Sequence, residues 1–518
     1  MIPFAIILTI ALGFRLALTL AHDGFLGVDG GAYFLNVNAV LGDEPTGAGF
    51  PRPPLAPGWL LVPFLDVFGP DNGYKIWSAL VSITPAVPIY LMARRIWPAW
   101  AISKTTTNRP LRLPLWLPGV AAAAFVLLDL LHAEMMVTGA LPLLAFALLG
   151  MVWWGMGELL HRRSWPVAAI VAACIGLIPW INQTTAGLAL ITIPVYGAAL
   201  IYYNRCRQHT TINHSPSCFG APPYWRTITP PLLLGGVIAL CALPWYMTVL
   251  PVTGVLNYPG AFMYPNHWTD SSWLQMVLGG GAGAYVIYRA REPWLQSLGV
   301  LLVLFAFLVI WLSTDETVIN IFYRSRYLMA VPFYVVVTWA VFTRWLPSWP
   351  RNGQRAAMAA AVVTAGILVA GYISQFDRQT DYSDMATPET VQALEMLRGQ
   401  DDNAGVINNS FTLSLWIAAL NKVPAPHTWT WPPPSTWVDT DQDVRCILGW
   451  VNGCDYTAAA DRLAVGYVLV DTRFPHYNER APGIYKAPLD QWGVTANTDW
   501  LTKIFDQGTT IVWKINHD

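Results

Sequence analysis

The sequence predicts a polytopic α-helical membrane protein that ends in a C-terminal extracytoplasmic α/β domain. Three observations point there. Of 518 residues, 54% are hydrophobic and 12% charged, against roughly 25% charged in an ordinary soluble domain. Mean hydropathy is +0.41. Long apolar runs recur as far as residue 375 and then stop, which divides the chain into a membrane part, 1–375, and a tail, 376–518.

The first run, IPFAIILTIALGFRLALTL at 2–20, has no basic region before it, and Arg15 interrupts it from within. It reads as an uncleaved first helix and not as a signal peptide. Further segments near the ~20-residue spanning length lie at 76–93, 113–131, 137–157, 165–181, 184–203, 229–250, 272–288, 295–313, 327–346 and 356–375. The expectation is roughly eleven spans. Alternate loops collect the basic residues: Arg94, Arg95, Lys104, Arg109 and Arg112, then Arg162 and Arg163, then Arg205, Arg207 and Arg226, then Arg289 and Arg291, then Arg344, Arg351 and Arg355. By the positive-inside rule the N-terminus is cytoplasmic and 21–74 faces outward. An odd number of spans puts the tail outside as well, in a multi-pass protein of the plasma membrane. A formal net charge of −1 gives no reason to expect nucleic acid as a partner.

In the tail, TPETVQALEMLRG at 387–399 is an amphipathic helix with Thr387 as N-cap and Pro388 first. Strand-like runs at 404–408, 465–471 and 509–515 alternate with helix-like 411–420 and 456–464, which fits a small α/β domain. Cys446 and Cys454 either bridge, which would add about 2–3 kcal/mol in the chain-entropy model, or remain two thiols. The other cysteines are dispersed, and the sequence has no zinc spacing, Walker loop, dinucleotide fingerprint or nucleophile elbow.

Polar residues gather on the expected outer face. The loop after the first span carries GVDGGAYFLN at 27–36, with Asp29, Tyr33 and Asn36, and then PRPPLAPGW at 51–59, with Arg52. After the third span comes DLLHAEMMVTG at 129–139. Asp129 and His132 share a helical face there, and Glu134 follows in a short turn. Near the tenth span, STDETVINIFYRSRYLMAVP at 313–332 sets Arg324 and Arg326 outside, against the positive-inside bias. Two outward arginines at the mouth of a span suit an anion. They also suit snorkelling to lipid headgroups. The aromatic HTWTWPPPSTW at 427–437 fits stacking on a sugar or an interfacial belt.

Together, Asp29 with Tyr33, Arg52-Pro53-Pro54-Leu55, His132 with Glu134, and Arg324-Ser325-Arg326-Tyr327 with Pro332 resemble the GT-C glycosyltransferases. More narrowly, they look like the branch containing protein O-mannosyltransferases and lipid A aminoarabinose transferases. The resemblance covers about 1–375. It implies that Asp29 is the catalytic carboxylate and that the donor is a polyprenyl-phosphate sugar used at the outer face. It also implies that Tyr33, Arg52, His132 and Glu134 bind substrate. Many relatives carry two adjacent acids in the first loop, whereas Asp29 is followed by Gly30 and Gly31.

The required chemistry agrees. Polyprenyl phosphate leaves as a stable anion, so no general acid is needed; one carboxylate that takes the acceptor's proton suffices, with inversion at the sugar. Arginine suits the phosphate because its fork binds two oxygens at once. Arg324 and Arg326 are the candidates, with Arg15 as a third. Asp29, His132 and Glu134 could hold Mg²⁺, Mn²⁺ or Zn²⁺, although a hydrogen-bonded helix end explains the last two equally. The acceptor is a glycan, a lipid or a protein. A lipid-linked-sugar flippase or other polytopic transporter would share the hydropathy, but should show inverted repeats with broken, charged spans near the midplane. A non-enzymatic scaffold would give no reason for acids and arginines to converge on one side.

Overall fold

The computed structural model describes residues 2–23, 30–42, 56–96, 114, 116–162, 164–212, 225–242, 270–312, 325, 327–382, 386–398, 400, 404–408, 413, 416–417, 419–420, 443, 446–447, 455–472 and 500–516. Helix α1 (Ile2–Leu20) is followed by α2 (Gly30–Leu41) and α3 (Ala56–Phe68). Next come α4 (Pro70–Ser82) and α5 (Ala86–Ala93), joined by a turn, then α6 (Leu117–Leu127), α7 (Leu130–Thr138) and α8 (Leu141–Leu159). They are succeeded by α9 (Trp165–Ile181), α10 (Gln183–Ile212), α11 (Trp225–Leu240), α12 (Asp270–Arg289) and α13 (Pro293–Leu312). The last of the series are α14 (Ala330–Ala340), prolonged by a π turn at Val341–Trp345, and α15 (Arg351–Tyr382).

Each apolar segment expected to span contains helix. Among the described residues, five helices are long and apolar enough to cross a membrane: Ile2–Leu20, Pro70–Ala93, Leu141–Leu159, Thr184–Cys206 and Asn352–Asp377. Prolines sit inside α3 (Pro63), α9 (Pro179), α10 (Pro194) and α11 (Pro230, Pro231). Membrane helices tolerate them because neighbouring helices and local backbone adjustments re-satisfy the freed carbonyls. Helices approach most closely where side chains are smallest. A Cβ on Gly283 of α12 would lie 2.6 Å from the carbonyl oxygen of Gly299 on α13, so these two helices meet backbone to backbone.

Two local departures from expectation have physical causes. Hydropathy gave no sign of α2, which is too short to span. It forms because Tyr33, Phe34, Leu35 and Val37 are buried in a core shared with α4, α7, α15 and the C-terminal part. Glu134, expected in a turn, lies within α7, since helical geometry runs unbroken from Leu130 to Thr138.

After α15 the chain forms α16 (Pro388–Arg398), β1 (Gly405–Asn408), α17 (Tyr456–Leu463), β2 (Val465–Asp471), β3 (Leu501–Gln507) and β4 (Thr510–Ile515). Thr387 caps α16, its Oγ1 accepting from the Thr390 N–H at 3.2 Å. Asp455 caps α17 by accepting from the Ala458 N–H at 3.0 Å. That bond, then the Thr457 hydroxyl, holds the Asp455 carboxyl below its usual range. The sheet order is β1-β2-β4-β3, with β1 parallel to β2 and the other pairs antiparallel. The sequence reading missed β3. It is an edge strand with little apolar alternation, carrying a Lys503–Asp506 ion pair at 2.6 Å, and it turns into β4 at Gly508, whose φ of 55° is left-handed.

The two faces of the sheet serve different cores. Tyr467, Leu469 and Val512 join the core that reaches into the membrane part, whereas Val468, Val470, Trp513 and Ile515 pack with Ala459 and Ala460 of α17. Cys446 lies in this second core and is disulfide-bonded, while Cys174 and Cys241 are free. The expected partner, Cys454, falls outside the described residues, as does the aromatic stretch 427–437. Non-reducing peptide mapping is expected to recover a fragment joining Cys446 to Cys454; a fragment joining Cys446 to any other cysteine would exclude that pair.

Candidate functional site

Asp29, Arg52, Arg324 and Arg326 lie outside the described residues, and of Glu134 only the backbone within α7 is described. Three further candidates, Tyr33, His132 and Arg15, can be located, and so can Gly30, the residue after Asp29. Gly30 opens α2, and a Cβ on it would stand 3.2 Å from Cζ of Tyr74 on α4. Tyr33 is buried, its ring 6.4 Å from that of Tyr74 and 5.6 Å, edge-on, from that of Trp77. One turn beyond Tyr74, the Ser78 hydroxyl donates to the Met136 carbonyl of α7 at 3.0 Å. Met136 is one turn past His132. The start of α2 and the helix bearing His132 and Glu134 are therefore both seated on α4.

Behind this layer lies a buried polar cluster. Arg15 is fully buried in α1; its Nη2 donates to the Leu127 carbonyl at 2.8 Å, and its guanidinium sits 5.4 Å from the Tyr372 ring centre. Asp129 accepts the Tyr334 hydroxyl at 2.5 Å through Oδ2 and the His132 N–H at 3.3 Å through Oδ1. The Asp129 charge acts on both Arg15 and His132. In a low-dielectric interior that attraction, with the π face of Tyr372, offsets part of the cost of burying a guanidinium.

Hydrogen-bonding capacity is left over. Arg15 Nε and Nη1, His132 Nε2 and the Asn36 side-chain oxygen on α2 are buried with no hydrogen-bond partner among the described residues. An unmet buried group costs about 1–3 kcal/mol, so these atoms suit water or a polar ligand. His132 Nε2 is also a fitting metal-ligand atom. No group of three or more His, Cys, Asp or Glu side chains that could hold a metal ion occurs among the described residues.

Sequence reading passed over two partners here. Tyr334 lies 205 positions from Asp129, with no local signal to join them. Lys75, buried on α4, donates to Asp71 and to the His22 carbonyl, each at 2.7 Å. The i,i+4 spacing of Asp71 and Lys75 would have revealed that pair.

No protein-family model and no curated protein matches the sequence. Solved structures do share its fold. The oligosaccharyltransferase of Archaeoglobus fulgidus, crystallised with Zn and sulfate, is 12% identical, with a TM-score of 0.53 over 92% of this chain and 70% of its own. Arabinofuranosyltransferase AftD from Mycobacteria is 16% identical, with a TM-score of 0.56 over 99% of this chain; the chain spans only 40% of AftD. ArnT from Cupriavidus metallidurans in its apo state is 14% identical, with a TM-score of 0.50 over 99% of this chain and 98% of its own. All three are GT-C glycosyltransferases, and this chain has their fold.

The Asp129–Tyr334 bond can be weighed directly. Tyr334→Phe should destabilise the protein by about 1.5–3 kcal/mol, the range for a hydrogen bond to a charged group, as read by denaturation in detergent. Adding Asp129→Asn should cost less than the sum of the two single changes, because both remove the same bond. Strictly additive losses would mean that the two side chains act separately.

Proposed function

We propose that this chain, which carries the GT-C fold, is an integral membrane glycosyltransferase that moves a sugar from a polyprenyl-phosphate donor to an acceptor at the outer face of the plasma membrane. The observation that most supports this is the fold shared with ArnT along 99% of this chain and 98% of that one. Fold alone does not fix an activity, so the reading also leans on the polar residues gathered at one end of the bundle. The oligosaccharyltransferase, solved also with a dolichol-phosphate, is 13% identical at a TM-score of 0.53 and binds a ligand of the proposed donor class.

In this reading the chain crosses the membrane about eleven times, with the N-terminus cytoplasmic. Residues 1–375 form the catalytic membrane domain and 376–518 an extracytoplasmic α/β domain. Asp29 takes the proton of the acceptor as it attacks the anomeric carbon from the face opposite the phosphate. The bond from that carbon to the phosphate oxygen breaks, polyprenyl phosphate departs, and the configuration inverts. Arg324 and Arg326 meet the charge that grows on the departing phosphate. The unspent Nε and Nη1 of Arg15 give it capacity to assist, through phosphate or an intervening water. Tyr33, Arg52, His132 and Glu134 line the substrate site.

A metal-assisted version is favoured by one observation, the buried Nε2 of His132, which has no hydrogen-bond partner among the described residues. Asp29, His132 and Glu134 would hold the divalent cation, and its charge would balance that of the sugar phosphate.

Two experiments test the reading. Cysteines introduced near Asn38, Thr314 and Gly405 should label from outside, and those near Thr106 and Asn352 only after permeabilisation; outside labelling at Thr106 would reverse the orientation. Asp29→Asn should cut turnover by a factor on the order of 10²–10⁴ while leaving donor affinity nearly intact. Arg326→Ala should instead weaken donor binding by about 2–3 kcal/mol, with the same expected of Arg324→Ala. Normal turnover in Asp29→Asn would remove Asp29 as the base and leave Glu134 as the next candidate.

A further inference from the structure

Both ends of α2 are held by one segment of the C-terminal part. At its start, Gly30 lies under the indole of Trp416, a fully buried residue from the part of the chain that follows the membrane helices. A Cβ on Gly30 would stand 2.3 Å from Trp416 Cζ2 and 2.9 Å from Cη2, so a side chain there and the indole cannot occupy the same space. The indole is fixed from two more sides, 5.2 Å from the ring of Phe34 on α2 and 6.0 Å, edge-on, from that of Tyr74 on α4. Two turns along α2, the Asn38 side-chain amide donates to the carbonyl of Ala419 at 2.8 Å, in a bond buried from solvent. Trp416 and Ala419 are both helical and one turn apart, so α2 and this C-terminal helical segment are joined at two points in register.

We propose that Trp416 is a positioning residue for the proposed transfer reaction: its indole clamps the backbone at Gly30, the residue that follows the proposed base Asp29 in the sequence. The C-terminal part then belongs to the active site through this contact, and the glycine after Asp29 has a steric reason. A base must sit within hydrogen-bond reach of the acceptor proton, and misplacement by about 1 Å can cost 10²-fold in rate. Donor binding is assigned to arginines elsewhere, so loss of the clamp lowers kcat and spares the donor KM.

The kinetic half rests on the glycosyltransferase reading; the contact itself does not. A size-exchange cycle in the full-length protein separates them. Trp416→Phe removes the ring edge that faces Gly30. Gly30→Ala adds a methyl group into that edge. Each alone should lower kcat by about 10-fold or more with donor KM within about 2-fold, and the double variant should recover most of the loss, because the methyl fills the vacated space. Leu413→Ala, a cavity in the same buried C-terminal segment, should leave kcat within about 3-fold if the clamp is local. Hydrogen exchange of the peptide covering 30–41 reads the contact without substrate: faster in each single variant, restored in the double. Additive losses in the double variant, or an equal fall of kcat in Leu413→Ala, would overturn the clamp. Exchange protection restored in the double variant, together with a wild-type protein that consumes no polyprenyl-phosphate sugar, would instead sink the glycosyltransferase reading and leave the contact standing.

Discussion

A guanidinium buried in the first apolar helix is the constraint around which the polar end of the bundle is arranged. On insertion scales an arginine at the centre of a membrane helix costs roughly 2.5–3.5 kcal/mol, and Arg15 cannot reach water from a position with no exposed surface. Its partners therefore have to come from other helices. Leu127 at the end of α6 supplies a carbonyl, Tyr372 on α15 supplies a ring face, and Asp129 supplies opposite charge. Asp129 in turn brings in Tyr334 from α14 and the backbone of His132 on α7. Helices far apart in sequence are thus tied at one level by groups that only the protein interior can satisfy. Nitrogen atoms of Arg15 and His132 at that level have no hydrogen-bond partner among the described residues.

The same polar layer is continuous with the C-terminal part. Tyr33 and Phe34 of α2 and Tyr74 and Trp77 of α4 share a hydrophobic core with Trp416, Tyr467, Leu469 and Val512. Helix α2, too short to be held by lipid, is stabilised by that core. A helix supported in this way gains rigidity from a sheet that lies beyond the membrane helices in sequence.

How much of this could be read from the sequence varied with the distance over which each feature is determined. Spans announced themselves because hydropathy over twenty or so residues is a local property. Helix α16 was visible in Thr387 and Pro388, and strands β1, β2 and β4 in their β-branched and aromatic runs. Strand β3 escaped because LTKIFDQ is a polar edge that owes its conformation to pairing with β4. Helix α2 escaped because its stability comes from tertiary burial. Of the site, the pairing of Asp129 with His132 was readable from their spacing, but Asp129 caps α7 from the residue before it and meets the His132 N–H, where a shared helical face was expected. Tyr334 and Trp416 were not, since their contacts span 205 residues in one case and close on to 400 in the other. The motifs pointed to the GT-C glycosyltransferases, and the fold agrees with them, at identities of 12%, 14% and 16%. Such low identity leaves packing geometry, rather than sequence, as what is shared.

The central claim is transfer of a sugar from a polyprenyl phosphate, and the most direct measurement is to incubate the purified protein with a panel of radiolabelled polyprenyl-phosphate sugars and a total membrane extract as acceptor. The account predicts that one donor is consumed, that free polyprenyl phosphate accumulates in step, and that the sugar appears on acceptor with its anomeric configuration inverted. Full recovery of every donor unchanged, or movement of intact donor from one leaflet to the other without cleavage, would contradict it.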